Sequence, residues 1–214
     1  MEQAALPSLP AALDLAGIAV FALTGAIAAA RGKQTFVTMA FFALVTGVGG
    51  GTVRDLLIDA PVFWVQAAWV APVCLSMALL VWFVPEDRWP SLLLEYSDAA
   101  GLAVYSVFGT MKALSFGVPA SSAVLMGIIT GCVGGIIRDV VAGRPSIIMR
   151  PELYVTAAAL AAASSAALIL LGMSPLVSGI VAALAGFVLR AAAIHWSLSL
   201  PSYRLTRARR REEP

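Results

Sequence analysis

Two segments of the chain combine glycines with an arginine–aspartate pair. The first, Thr46–Asp55, reads TGVGGGTVRD, and the second, Thr130–Asp139, reads TGCVGGIIRD. A glycine inside a helix costs about 1 kcal/mol relative to alanine, and consecutive glycines allow a kink or an unwound turn. Inside a membrane such a turn is tolerated where it is packed by protein or lines water. Backbone carbonyls in that setting suit a partly dehydrated cation, so these segments favour a hydrated cation path.

The candidate pore positions are small residues of these two segments. They are Thr46, Gly47, Gly49, Gly50 and Gly51 in the first segment, and Thr130, Gly131, Gly134 and Gly135 in the second. A second interpretation stays open for all of them. Small residues also let two membrane helices approach closely, and that role needs no pore.

Six charged residues accompany the glycines. They are Asp14, Arg54 and Asp55 in the amino-terminal half, and Asp98, Arg138 and Asp139 further along. Charges in or near a membrane are costly and usually functional. We expect two ion pairs, Asp14 with Arg54 and Asp98 with Arg138, each clamping two helices together. The alternative is that these side chains reach the membrane interfaces and are merely solvated.

Lys112 is a lone charge in a long apolar stretch. A lysine at the centre of a membrane helix costs on the order of 3 kcal/mol on insertion scales. It must therefore face a partner, the protein interior or water, and it is the candidate gating residue. The alternative is that its long side chain extends to the outer interface.

Composition places these residues in an all-α integral membrane protein. The chain has 214 residues, of which 60% are hydrophobic and 12% charged, and its mean hydropathy is +0.91. These values exclude a soluble domain, which carries about 25% charged residues, and a disordered chain. Uncharged stretches, each long enough to span a bilayer, predict seven transmembrane helices at about 11–30, 35–53, 61–84, 95–115, 119–138, 151–171 and 175–197.

The first six predicted helices form an internal repeat, which needs no gap between the first helix and the end of the fifth. Asp14 and Asp98 are 84 residues apart, and the same offset relates Arg54–Asp55 to Arg138–Asp139. Repeat one covers about 11–84 and repeat two about 95–171, within a single membrane domain of residues 1–214. Because each repeat has three helices, the second must enter from the opposite face, which predicts an inverted repeat. The seventh helix at 175–197 and a basic tail at 198–214 complete the chain.

The basic residues predict the orientation. With the amino terminus outside and the carboxyl terminus in the cytoplasm, most arginines and lysines, including the tail run Arg204–Arg211, lie inside. The first helix lacks a preceding basic region and is expected to be retained in the inner membrane. Arg190 and His195 are interpreted as interfacial anchors of the last helix.

Enzymatic chemistry is not expected. The sequence has no phosphate-binding loop, nucleophile elbow or Cys/His metal spacing, and it has a single histidine. We therefore expect no catalytic residues, no cofactor, and no metal beyond transient K⁺. The basic tail is too short to indicate nucleic acid.

The glycine–Arg–Asp motifs, GGGTVRD at 49–55 and GGIIRD at 134–139, together with the helix pattern, resemble the bacterial branch of the trimeric intracellular cation (TRIC) channels. The resemblance extends from about residue 11 to 197. It implies a homotrimer in lipid, with one pore per protomer, permeable to potassium and other monovalent cations. It also implies that the second and fifth helices, kinked at their glycines, line the pore, and that Lys112 takes part in gating.

Two other functions remain open. Some bacterial members of this family carry the label of a small amino-acid (glycine) transporter, so a secondary transporter is the alternative. Midplane hydroxyls such as Thr24, Thr46, Ser106 and Thr130 suit potassium better than a zwitterion, which needs a fixed carboxylate. A non-conducting scaffold would explain the repeat, but gives no reason for duplicated glycines beside charges.

Overall fold

The computed structural model of the protein describes residues 9–85 and 88–201, and in this part of the chain it is helical. The helices are α1 (Leu9–Arg31), α2 (Phe36–Leu57), α3 (Phe63–Gln66), α4 (Val70–Phe83), α5 (Ser91–Ser115), α6 (Ala120–Val141), α7 (Val155–Leu170) and α8 (Pro175–His195). A short 3₁₀ helix, Ile147–Met149, precedes α7. The predicted tail run Arg204–Arg211 lies outside the described residues.

Four of these helices, α1, α2, α6 and α8, are long and apolar enough to cross a membrane, and α4 and α7 are shorter apolar helices. α5 is the longest, with 25 residues, and it carries Glu95, Asp98 and Lys112. Many of the large apolar side chains of α4 and α8, such as Trp82 and Leu184, are exposed on the surface. An exposed apolar surface on this scale fits a lipid environment.

The third predicted helix is wrong in its bounds. The sequence predicts one helix over 61–84, but the structure has the short α3, a break at 67–69, and α4 from Val70. The Phe63 amide donates to Asp55 Oδ2 at 3.0 Å, which ties the start of α3 to α2. Pro72 lies in the first turn of α4, where a missing amide proton has no cost. The sixth predicted helix likewise begins at Val155 rather than at 151.

Two of the turns between helices have a definite backbone reason. Gly117 has a φ of 76° and Gly172 a φ of 82°, and each follows the end of a helix. Glycine adopts this left-handed conformation without steric cost, and the following Pro119 and Pro175 stand at the start of the next helix. These short turns let α6 pack against α5, and α8 pack against α7.

The centre of the molecule is formed by α1, α2, α5 and α6. α1 packs on α2, α4 and α5, whereas α5 packs on α6, α7 and α8. The buried cluster around Ile18, Phe21 and Ala43 joins α1 to α2. The central helices therefore carry the glycine segments and the charged residues, and the others surround them.

Candidate functional site

α2 and α6 cross where the glycines of each helix meet the backbone of the other. A Cβ atom on Gly134 would lie 2.7 Å from the Thr46 carbonyl oxygen, and one on Gly50 would overlap the Thr130 carbonyl oxygen. Since Thr46 precedes Gly50 on α2 while Thr130 precedes Gly134 on α6, the two helices run antiparallel at this crossing. Only glycine allows the two backbones to approach this closely.

Two further glycines bring neighbouring helices together within each half of the chain. A Cβ on Gly47 would lie 3.2 Å from the Ile18 carbonyl oxygen, and one on Gly131 would lie 2.8 Å from that of Leu102. Ile18 and Leu102 are separated by the same 84 residues as Gly47 and Gly131. The α1–α2 and α5–α6 pairs are therefore packed through equivalent positions.

The other candidate glycines face side chains. Gly49, Gly51 and Gly135 lie against Ile137, Phe63 and Tyr154, respectively. All seven candidate glycines are buried or nearly so. Each is therefore used for close packing, which is the second of the two roles that the sequence left open.

The glycines do not interrupt their helices. α2 is helical from Phe36 to Leu57 and α6 from Ala120 to Val141, so the unwound turn that the sequence allows is not formed in either. Backbone hydrogen bonds are retained because a freed group in an apolar interior would cost several kcal/mol. Carbonyls released by the glycines are therefore not the polar groups of this site.

The charged residues of the second half form a closed network. Arg138 Nη1 donates to Asp98 Oδ1 at 2.5 Å, and Arg138 Nε donates to Asp139 Oδ1 at 3.0 Å. The other oxygen of Asp139 accepts the Ile147 amide at 2.9 Å. Arg138 is 3% exposed. This one guanidinium therefore joins α5 to α6, and Asp139 holds the chain that follows α6.

The first half repeats only part of this network. Arg54 Nε donates to Asp55 Oδ1 at 2.9 Å, as Arg138 does to Asp139. The expected Asp14–Arg54 ion pair is not among the ion pairs of the described residues; Arg54 pairs with Asp55, and its guanidinium lies 5.0 Å from the centre of the Phe108 ring. Asp14 Oδ1 is buried without a hydrogen-bond partner in the described structure. The prediction of two equivalent clamps is therefore wrong for the first half.

Lys112 joins this first network instead of extending to the interface. Its Nζ donates to Asp55 Oδ1 at 2.8 Å, and its side chain is 19% exposed. The residue 84 positions earlier is Ala28, so the second half has no equivalent cation for Asp139. This lysine makes the two halves electrostatically different.

Buried hydroxyls lie between the two charged networks. Thr46, Ser106 and Thr130 are fully buried. Thr130 Oγ1 donates to the Met126 carbonyl oxygen, whereas Thr46 Oγ1 and Ser106 Oγ have no hydrogen-bond partner in the described structure. Such groups inside a protein normally bind water or another polar partner.

The sequence missed two features of the site. The Tyr105 hydroxyl donates to the Gly47 carbonyl oxygen at 3.2 Å, a contact between α5 and α2 with no sequence signal. Arg190 is 1% exposed and donates to Glu152 Oε2 at 2.7 Å, so its interpretation as an interfacial anchor is wrong. The uncharged stretch before Arg190 could have suggested a buried partner, but not its identity.

These observations define the class of the protein: a multi-pass α-helical membrane protein with a buried polar axis. Comparison with known families refines this. A family model described as "Glycine transporter" matches residues 11–86 and again 95–170. The two matches begin, and end, 84 residues apart, which is the offset of the internal repeat.

Relatives and solved structures agree on one family. A UPF0126 membrane protein of Vibrio cholerae is 38% identical, covering 96% of this chain and 87% of the relative. The UPF0126 inner membrane protein YadS of Escherichia coli K12 is 37% identical over 90% of this chain and 95% of its own length. The structure of a TRIC trimeric intracellular cation channel orthologue from Rhodobacter sphaeroides is 36% identical with a TM-score of 0.84, covering 89% of this chain and 99% of that chain.

A second solved structure, described in terms of conductance through TRIC cation channels, is 26% identical with a TM-score of 0.80, covering 89% of this chain and 95% of that chain. The chain therefore belongs to the UPF0126 family of bacterial membrane proteins, the bacterial branch of the TRIC family.

Proposed function

We propose that this protein is a monovalent cation channel, permeable to potassium, with one path through each protomer. The observation that carries the proposal is the set of buried polar atoms without partners along the central helices. They include Asp14 Oδ1 on α1, Arg54 Nη1 and Thr46 Oγ1 on α2, Ser106 Oγ and Asp98 Oδ2 on α5, and Tyr154 Oη just before α7. A polar row across an apolar protein is costly unless water or ions contact it.

The path is lined by α2 and α6 and is narrowest at their crossing. Gly50 and Gly134 bring the two backbones into contact there, so ions pass only when these helices separate at this point. The glycines allow that movement because they add no side chain and permit a kink in either helix.

The arrangement in the membrane follows from the repeat. α2 and α6 run antiparallel, and Gly50 meets Thr130 just as Gly134 meets Thr46. These two contacts are related by the 84-residue offset of the repeat. This symmetry supports two inverted repeats around an axis in the membrane plane. Similarity to YadS, named an inner membrane protein, supports the bacterial inner membrane. The trimeric channel from Rhodobacter sphaeroides supports a homotrimer, with the amino terminus outside as the basic residues indicate.

The direct test is potassium flux from liposomes that contain the purified protein, under an imposed potential and without a co-substrate. Gly50→Leu and Gly134→Leu should abolish rapid flux, because a leucine would fill the α2–α6 crossing. Ala167→Leu is the matched control, since Ala167 is exposed on α7. Size-exclusion profiles and melting curves show whether each variant is folded.

Two results would contradict the channel. Absent potassium flux combined with saturable uptake of glycine or alanine would establish a transporter. Undiminished flux through folded Gly50→Leu and Gly134→Leu would place the path elsewhere than the α2–α6 crossing.

A further inference from the structure

The two halves of the molecule hold equivalent charged residues in different pairings. In the second half, Arg138 contacts both carboxylates, Asp98 and Asp139. In the first half, Arg54 contacts Asp55, which Lys112 also contacts. Asp14, the counterpart of Asp98, is left outside these ion pairs. The Asp98–Arg138 pair of the second half therefore has an equivalent in the first half, Asp14 with Arg54, that is not formed in the structure.

Asp14 lies in a buried and charged environment. It is 8% exposed, and its Oδ1 has no hydrogen-bond partner in the described structure. The charged and titratable groups that face it are Arg54 and Asp55 on α2 and Lys112 and Tyr105 on α5, with Cys74 on α4 behind Tyr105. Arg54 and Lys112 carry two positive charges, whereas their shared partner Asp55 carries one negative charge. An ionised Asp14 would balance the remaining positive charge.

The protonated form of Asp14 suits this buried position. The Tyr105 hydroxyl donates to the Gly47 carbonyl oxygen, and the ion pairs of the described residues leave Asp14 without a cation. Burial also disfavours an unpaired charge. The protonated form of Asp14 avoids that cost, whereas the ionised form needs a cation such as Arg54 to compensate it.

We propose that Asp14 is a proton-binding site, and that the proton decides which carboxylate Arg54 pairs with. With the proton bound, Asp14 carries no charge and needs no cation, and Arg54 shares Asp55 with Lys112, which is the pairing in the structure. When the proton leaves to water, the Asp14 carboxylate draws Arg54 into the pairing that Arg138 makes with Asp98. Lys112 alone then neutralises Asp55. The consequence for ion flux rests on the proposed channel function, but the proton site itself does not.

Infrared difference spectroscopy of the full-length protein in liposomes tests the site without any flux. Raising the pH should remove one carboxylic-acid C=O band, and Asp14→Asn should abolish that band. Asp98→Asn is the matched control and should retain it, because Asp98 is ion-paired. A band that is absent, or that survives Asp14→Asn, overturns the proposal.

Flux measured against pH on each side of the membrane tests the consequence. Wild-type flux should change with pH on the face that carries Asp14, by up to about tenfold per pH unit. Asp14→Asn mimics the protonated carboxyl, so its flux should stay at the acid-side level of the wild type at every pH. Pronounced pH dependence that persists in Asp14→Asn overturns the switch. If the wild type does not conduct at all, the channel proposal fails and the infrared result alone decides the proton site.

Discussion

At the residue scale, the choice of partner by each arginine distinguishes the two halves of the molecule. Arg138 bridges two carboxylates of neighbouring helices, whereas Arg54 stacks on Phe108 and leaves Asp14 unpaired. A guanidinium has five donors and can serve two carboxylates at once. Lys112 of α5 also contacts Asp55, whereas Asp139 has no equivalent lysine because position 28 is alanine, so the two arginines lie in different electrostatic surroundings.

This difference predicts unequal effects on stability from equivalent substitutions. Asp98→Asn removes the charge that Arg138 contacts, and we expect a loss of about 1.5–3 kcal/mol, the range for hydrogen bonds to charged groups. Asp14→Asn keeps the shape of a carboxyl without an ion pair, and we expect a change within about 0.5 kcal/mol. Chemical unfolding of the two purified variants in detergent measures both. Equal losses would show that Asp14 and Asp98 are paired alike.

At the element scale, the α2–α6 crossing depends on the absence of side chains. Gly50 and Gly134 allow backbone contact, and both helices continue unbroken through their glycines. The close packing of α2 on α6 compensates for the helix stability that each glycine costs. Where lipid is the solvent, helices associate through van der Waals contacts between small residues. The same positions make the crossing sensitive to a single added methyl group.

Substitution by alanine should therefore be position-dependent. In Gly134→Ala the new methyl group would meet the Thr46 carbonyl oxygen at 2.7 Å, and we expect a destabilisation of about 1–3 kcal/mol from overpacking. In Gly101→Ala the nearest atom is on the Phe21 ring at 3.2 Å, and a small shift of that ring suffices. Melting temperatures of the two variants compare them directly. A Gly134→Ala variant as stable as Gly101→Ala would contradict the backbone contact.

At the scale of the whole molecule, the repeat and its asymmetric additions together define the architecture. The family model matches both halves at the same offset, and α8 packs on α5 and α7 of the second half. Lys112 and α8 are the parts without a counterpart in the first half. The internal repeat therefore carries additions on one half only, which makes the two halves structurally unequal.

An inverted repeat makes a prediction about equivalent loops. Gln34 follows α1 and Phe116 follows α5, and both positions are exposed. We expect a membrane-impermeant thiol reagent to label Phe116→Cys, but not Gln34→Cys, from the outside of spheroplasts. The natural Cys74 and Cys132 are buried, so the parent protein is the background control. Labelling of both positions from the same face would exclude inversion.

The sequence alone determined the apolar helices and the repeat. A bilayer demands long uncharged stretches whatever their packing, so most predicted helices agree with the structure to within a few residues. The break between α3 and α4 was not predictable in the same way, because 60–85 is uniformly uncharged. The bond from the Phe63 amide to Asp55, which ties the start of α3 to α2, also exists only after the chain has folded.

The sequence also identified the glycines and the charged residues, since both are unusual in membrane helices and both are duplicated. Only the tertiary structure decided what they contact. The sequence paired Arg54 with Asp14, but in the folded chain Arg54 contacts Asp55, which Lys112 from a third helix also contacts. Partner choice in a buried network depends on distances between helices, and those distances are set by packing that no single segment encodes.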